Sequence, residues 1–236
     1  MVLAHDANGV AALSKPAGVL SHPNESGDRP RSLLTVHYNT ATECYEWSGA
    51  DGSLGRLWLL NRLDSATSGV ILVAADEKLA AEIRAQFKRK QVRKVYHALV
   101  FGAPRPSRDI WRDRLSTDKK GGHIRTATTG VIPAESVMRV LHLGFGPHPV
   151  SLIQLEPHTG RSHQLRVQCA KRHWPIVGDQ TYGDFQRNRD FAKRTGEKRL
   201  FLHSLETRFD YEFGGRTFSF AAQAPTPEEF RRAQRG

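Results

Sequence analysis

Two apolar runs, Leu57–Leu60 and Val70–Ala74, flank a polar turn that carries a single carboxylate, Asp64. Runs this short and rich in Leu, Val and Ile have strand length and bury themselves. The pattern therefore predicts two core strands that hold the turn rigidly between them. Upstream, Val10–Leu13 reads as a strand, and Ser14-Lys15-Pro16-Ala17-Gly18-Val19 as a turn back into the core. Ser21–Arg31 is polar and contains Pro and Gly, which predicts a loop, and Leu33–His37 is a helix candidate. Asp76 is placed to cap a helix running to about Arg89, with Leu79, Ile83 and Phe87 recurring every four residues on one face. Lys94–Phe101 alternates as a strand, with Val95, His97, Leu99 and Phe101 on one side and Tyr96, Ala98 and Val100 on the other.

Residues 103–136 are polar, basic and glycine-containing, and are expected as a mobile or inserted loop, either a short hairpin excursion or an arm. Ser136–Leu143 and Val150–Leu155 read as strands. Glu156-Pro157-His158-Thr159-Gly160 ends the second of these, and Arg161–Arg172 then suits a helix with Leu165, Cys169 and Val167 turned inward. Pro175–Asp179 and Tyr182-Gly183 form a turn, and Gln186–Lys198 is helical in part. Arg199–Leu205 and Phe209–Phe213 are strands, with Gly214-Gly215 as a hairpin signal before Phe218–Phe220 and a short helix from Glu228. Strands outnumber helices and most can pair as neighbours. The expected fold is α+β, a mixed, largely antiparallel sheet with flanking helices, in a single domain over residues 1–236.

Charge narrows the function. The chain carries 35 Lys+Arg against 24 Asp+Glu, a formal net charge of +11. The basic residues are spread over several segments rather than gathered in one tail. Such an excess points to a polyanionic partner, held by contacts that weaken steeply with salt. Two distant cysteines, Cys44 and Cys169, give neither a disulfide framework nor a zinc pattern. His158 and His163 lack a third metal ligand at plausible spacing. Met1–Pro16 has no signal-peptide pattern and no apolar run approaches ~20 residues, so a cytoplasmic location is expected. No phosphate-cradling glycine loop or nucleotide-cofactor fingerprint is present.

Taken by type alone, the candidate residues keep several readings open. Asp64 could be a nucleophile, a base or a charge stabiliser, and equally a cap of its own turn. Tyr96 could be a core strand tyrosine. His163 suits a structural hydrogen bond, and Arg161 and Arg166 suit solvent or phosphate.

Six motifs, which fall in the family's order along the chain, sharpen this. Arg62-Leu63-Asp64 with Thr67-Ser68-Gly69 resembles the Arg-Leu-Asp…Thr-Ser-Gly motif of the RluA-type pseudouridine synthases. Lys15-Pro16-Ala17-Gly18-Val19 with His22 resembles that family's opening segment. Lys94-Val95-Tyr96-His97-Ala98 resembles its Lys-x-Tyr-x-Ala strand, and Thr159-Gly160-Arg161-Ser162-His163-Gln164-Leu165-Arg166 its Thr-Gly-Arg-Thr-His-Gln-Ile-Arg segment. Pro175–Gly183 and Leu200–Ser204 resemble its Gly-Asp turn and Leu-His strand.

The resemblance implies a pseudouridine synthase fold with a central RNA-binding cleft, and isomerisation of a uridine in structured RNA after the base is flipped out. It makes Asp64 the catalytic carboxylate, Arg161 its ion-pair partner, and Tyr96 the tyrosine that contacts the displaced base. Arg62 would enter the vacated space, Leu202 would pack under Tyr96, and His163 and Arg166 complete the substrate-binding set. No cofactor or metal is required by the reaction, and the expected enzyme is a monomer acting on RNA, with ribosomal RNA favoured over transfer RNA. The chain departs from the motif at Asn61, where the family usually has His, so no acid–base role falls there. The 14 residues before Lys15 are too few for an additional RNA-binding module. The alternatives are a non-catalytic RNA-binding protein of the same fold, and a metal-dependent nuclease, for which Asp51, Asp64 and Asp76 are poorly spaced.

Overall fold

The computed structural model describes residues 1–120 and 123–235. Gly121 and Gly122, in the middle of the expected loop, lie outside the described residues. The chain forms two compact units, Met1–Arg93 with Ser204–Pro225, and Lys94–His203 with Thr226–Gly236. As expected, it is α+β: a mixed, largely antiparallel sheet with flanking helices.

The first stretch of chain builds β1 (Val2–His5), β2 (Val10–Lys15), β3 (His37–Asn39), β4 (Cys44–Ser48), β5 (Leu54–Leu59), β6 (Ser68–Ala74) and α1 (Glu77–Lys88). β5 and β6 are the two apolar runs, and β6 is buried along its whole length. The strand order in this unit is β3-β4-β5-β6, with β2 also on β6 and β1 on β2. The Asp76 carboxylate accepts the Leu79 N–H at 2.8 Å, as a helix cap should. Leu79 and Ile83 then bury against Val10, Val70 and Leu72. Leu33–His37 is not helical. The Leu33 N–H bonds to the Leu20 carbonyl at 2.8 Å, so this backbone is committed to a partner far along the chain. Part of the expected loop before it, Ser26–Arg31, is a 3-10 turn.

The second stretch builds β7 (Arg93–Phe101), β8 (Arg108–Lys120), β9 (His123–His142), β10 (Val150–Pro157), α2 (Gln164–Lys171) and α3 (Phe185–Thr195), in strand order β7-β10-β9-β8. The expected loop at 103–136 is therefore strand over most of its length. Trp111, Asp113 and Leu115 point inward at every second position of β8. Asp113 breaks the apolar alternation, and it is accepted there because Lys171 (2.7 Å), Arg172 (3.0 Å) and Gln168 (2.9 Å) satisfy it.

The chain returns through β11 (Leu202–Phe213) and β12 (Arg216–Gln223), which pair as a hairpin across Gly214-Gly215, both at positive φ. Phe209, Tyr211 and Phe220 complete the core of the first unit. α4 (Glu228–Arg235) brings Phe230 and Ala233 onto Leu99, Val177, Phe191 and Phe201 in the second.

Candidate active site

In the first unit the structure fixes the Asp64 turn from both sides. Before it, the Ser21 hydroxyl accepts the Leu63 N–H (3.0 Å) and donates to the Leu63 carbonyl (2.8 Å). The Asp64 carbonyl accepts the Thr67 N–H at 3.0 Å, so a backbone oxygen closes the turn. After it, the Ser65 carbonyl accepts from the Gly18 N–H (2.8 Å) and from the Lys15 ammonium (2.9 Å). Lys15 is buried and also donates to the carbonyls of Pro16 (3.0 Å) and Val19 (2.5 Å). One cation thus ties the Lys-Pro-x-Gly segment to the residue after Asp64. Thr67 is buried with its hydroxyl unpaired.

Gly69 explains the end of the same motif. It sits at φ +114, and a Cβ there would lie 2.1 Å from the Ser204 carbonyl oxygen. Only glycine permits that approach. Asn61 holds the start of the turn: its side-chain oxygen accepts the Leu72 N–H at 2.8 Å, extending the β5–β6 pairing by a side chain.

Arg62 is exposed, and its guanidinium donates to His22 Nε2 at 3.2 Å. His22 Nδ1 faces the Pro23 carbonyl at 3.0 Å. Arginine can only donate and a carbonyl can only accept, so Nε2 is the acceptor of this pair and Nδ1 the donor. The His22 ring stacks on Tyr38 with centroids 4.8 Å apart and planes 9° from parallel.

In the second unit Tyr96 lies on β7, opposite Leu155 of β10. Leu202 is buried at the start of β11, just after Phe201, whose carbonyl accepts the Leu99 N–H of β7 at 3.0 Å. The turn before α2 is stapled by Gln164. Its side-chain oxygen accepts from the Thr159 hydroxyl (2.7 Å) and the Arg161 N–H (3.1 Å), and its amide donates to the Glu135 carbonyl (3.1 Å). α2 begins three residues later than expected because His163 takes a left-handed conformation, φ 54. His163 Nδ1 is hydrogen-bonded to the Tyr182 hydroxyl at 2.8 Å.

The two arginines of this segment differ sharply. Arg161 is exposed, and its Nε donates to the Pro133 carbonyl at 3.3 Å. Arg166 is buried and grips Asp179 through two bonds of 2.8 Å. Burial pushes the Asp179 carboxyl up, but the Arg166 bonds and charge, with the Thr181 and Tyr182 N–H groups, outweigh it and hold the carboxyl below its usual range.

A family model described as RNA pseudouridylate synthase matches residues 9–171. The chain belongs to that family. The pseudouridine synthases are RNA isomerases, and this is the enzyme class of the chain. Among similar proteins, the tRNA pseudouridine synthase C of Vibrio cholerae serotype O1 is 32% identical over 215 residues, 86% of this chain and 83% of that one. The tRNA pseudouridine synthase C of Pasteurella multocida is 34% identical over 211 residues, 85% and 82% of the two chains. The solved structure of Human RNA Pseudouridylate Synthase Domain Containing 1 superposes with a TM-score of 0.71 at 23% identity, over 98% of this chain and 86% of that chain, a likeness of fold.

Within this family frame, sequence reasoning missed the supports. Lys15 was visible as part of a motif, but its three carbonyl acceptors were not. Gln164 and Asp179 were likewise visible as motif members without their bonding partners, and Ser21 gave no signal beyond its residue type. Among the described residues no helix is long and apolar enough to cross a membrane.

Proposed function

We propose that the chain converts a uridine of transfer RNA to pseudouridine, acting as a monomer, with Asp64 as the essential group. The bond from ribose C1′ to uracil N1 breaks, the ring turns, and C1′ rejoins at C5. The C5 proton leaves and N1 regains one, so the reaction is redox-neutral. Asp64 either attacks C1′ or stabilises charge there while the C2′ proton departs. The observation that carries this reading is the Asp64 turn, pinned at Leu63, at its own carbonyl and at Ser65. A catalytic carboxylate needs such preorganisation, and a merely capping one does not.

Extruding the uridine costs a few kcal/mol. Arg62, parked on His22, would fill the vacated space and stack its flat guanidinium on neighbouring bases. Tyr96 would contact the uracil and accept the ribose proton, with Leu202 packed beneath it and His163 ordering the segment that meets the substrate. For the cation that partners Asp64, the motif match offers Arg161, and Arg166 of the same segment is the better held of the two. A guanidinium that orients a carboxylate must itself be fixed, and Arg166 is fixed by Asp179. We assign the role to Arg166 and leave Arg161 to contact RNA. Transfer RNA replaces ribosomal RNA as the favoured substrate because the relatives matched over more than four-fifths of both chains carry the transfer-RNA name.

Pseudouridine mapping of total RNA, with and without the gene, tests the substrate: one transfer-RNA position should disappear, and loss confined to ribosomal RNA would refute it. Asp64→Ala should bind RNA and form no product. Residual turnover above about one per cent would remove Asp64 from the essential role, since losing such a group costs orders of magnitude more. A wild-type chain that binds RNA without any product would be a binding protein of this fold.

A further inference from the structure

Lys94 is a half-buried cation that the reaction above does not use. It precedes Tyr96 by two residues on β7, so both side chains leave the same face, about 7 Å apart along the strand. An ammonium has three N–H donors. Among the described residues Lys94 spends one of them, on the Thr159 carbonyl at 3.5 Å, near the limit of a hydrogen bond. Burial pushes its ammonium down to about 8, and no carboxylate holds it up.

The surroundings explain why. Glu135, which accepts from this turn, is engaged by Arg112 (3.2 Å) and His158 (3.1 Å). Glu156 follows Leu155, the residue opposite Tyr96, and so leaves β10 from the other face. Next to Thr159, the exposed Gly160 has no side chain, and a Cβ there would meet only the Lys94 Nζ, at 3.8 Å. Beyond it, Arg161 spends its Nε on Pro133 and keeps its two terminal nitrogens unspent among the described residues. Two cations with donors to spare thus flank a bare glycine.

We propose that Lys94, Gly160 and Arg161 form a clamp for one phosphodiester of the substrate strand, beside the base that Tyr96 contacts. The proposal rests on the functional reading above and adds a site to it. A phosphate oxygen would complete the Lys94 shell, the missing Cβ would let the backbone approach, and the Arg161 fork would take a second oxygen. The bound anion would also hold Lys94 protonated at pH values where burial alone would neutralise it.

The test uses the full chain and a transfer-RNA stem-loop in which single linkages around the target uridine are replaced by neutral methylphosphonates. Lys94→Met should weaken binding about tenfold and reduce the salt slope by about 0.7–0.9, the value of one phosphate contact. One neutral linkage should weaken the wild type by a similar factor and weaken Lys94→Met hardly at all. Gly160→Ala should melt like the wild type yet bind less well. Wild-type affinity should fall above about pH 8, whereas Lys94→Arg, which keeps its charge, should hold it. If every neutral linkage weakens wild type and Lys94→Met by the same factor, the clamp is refuted. Product formation on the unmodified stem-loop, measured in the same samples, separates that failure from failure of the isomerase reading. Should Lys94→Met not fold, Lys94→Arg and Gly160→Ala carry the linkage series and decide it by the same coupling.

Discussion

Replacing Lys15 by Met keeps the length of the side chain and deletes the ammonium shared by the carbonyls of Pro16, Val19 and Ser65. A hydrogen bond from a charged donor contributes about 1.5–3 kcal/mol net. Three such bonds at face value exceed what single substitutions normally cost. Two corrections reduce the figure. Pro16 and Ser65 are exposed residues whose carbonyls recover water, and removing the ammonium also relieves the cost of burying it. About 2–4 kcal/mol remains, which lowers Tm by about 4–16 °C for a chain of this size.

The effect on activity should exceed the effect on stability. Lys15 grips the carbonyl next to Asp64, the group proposed as catalytic, and a displacement of about 1 Å in such a group can cost about a hundredfold in rate. The assay is single-turnover tritium release from transfer RNA labelled at uridine C5, run well below the variant's Tm, with RNA affinity measured alongside. The rate should fall at least tenfold while affinity stays within a factor of about three. A Tm within 1 °C of wild type together with a rate within twofold would show that the clamp on Ser65 holds nothing in place.

Gly69→Ala should be far worse than an ordinary glycine replacement, because its Cβ would lie 2.1 Å from the Ser204 carbonyl at φ +114. Little soluble protein or a large drop in Tm is expected, and a normal melting curve would refute the close approach. Asp179→Asn removes the carboxylate charge that the buried Arg166 guanidinium grips and should cost about 3–5 kcal/mol in chemical denaturation at pH 7. The folded Asp179 carboxyl lies below its unfolded value, so its contribution is complete above about pH 4 and is lost as pH falls through the lower, folded value. The wild type should therefore lose stability in acid more steeply than Asp179→Asn, and parallel curves would refute the ion pair.

How much of this was legible in the chain depended on distance. The Asp64 turn between two apolar runs, the Asp76 cap and the Gly214-Gly215 hairpin are set by neighbours a few residues away, and sequence spacing reports them. A short hairpin was one reading of 103–136, but the length of the β8–β9 hairpin was hidden because Asp113, Thr126 and Ser136 occupy inward positions that alternation assigns to apolar residues. Each is made tolerable by a partner that comes from another element: Lys171 and Arg172 for Asp113, the Ser162 carbonyl for Thr126, Gln168 for Ser136. The same blindness affects the candidate site. Arg161 and Arg166 look alike in a motif, five positions apart on a segment that reads as one helix. What separates them is that His163 turns left-handed and delays the helix, and that Asp179, 13 residues beyond Arg166, takes up its guanidinium. A motif match names residues of one type, and a buried partner from another element shows which of them is held still.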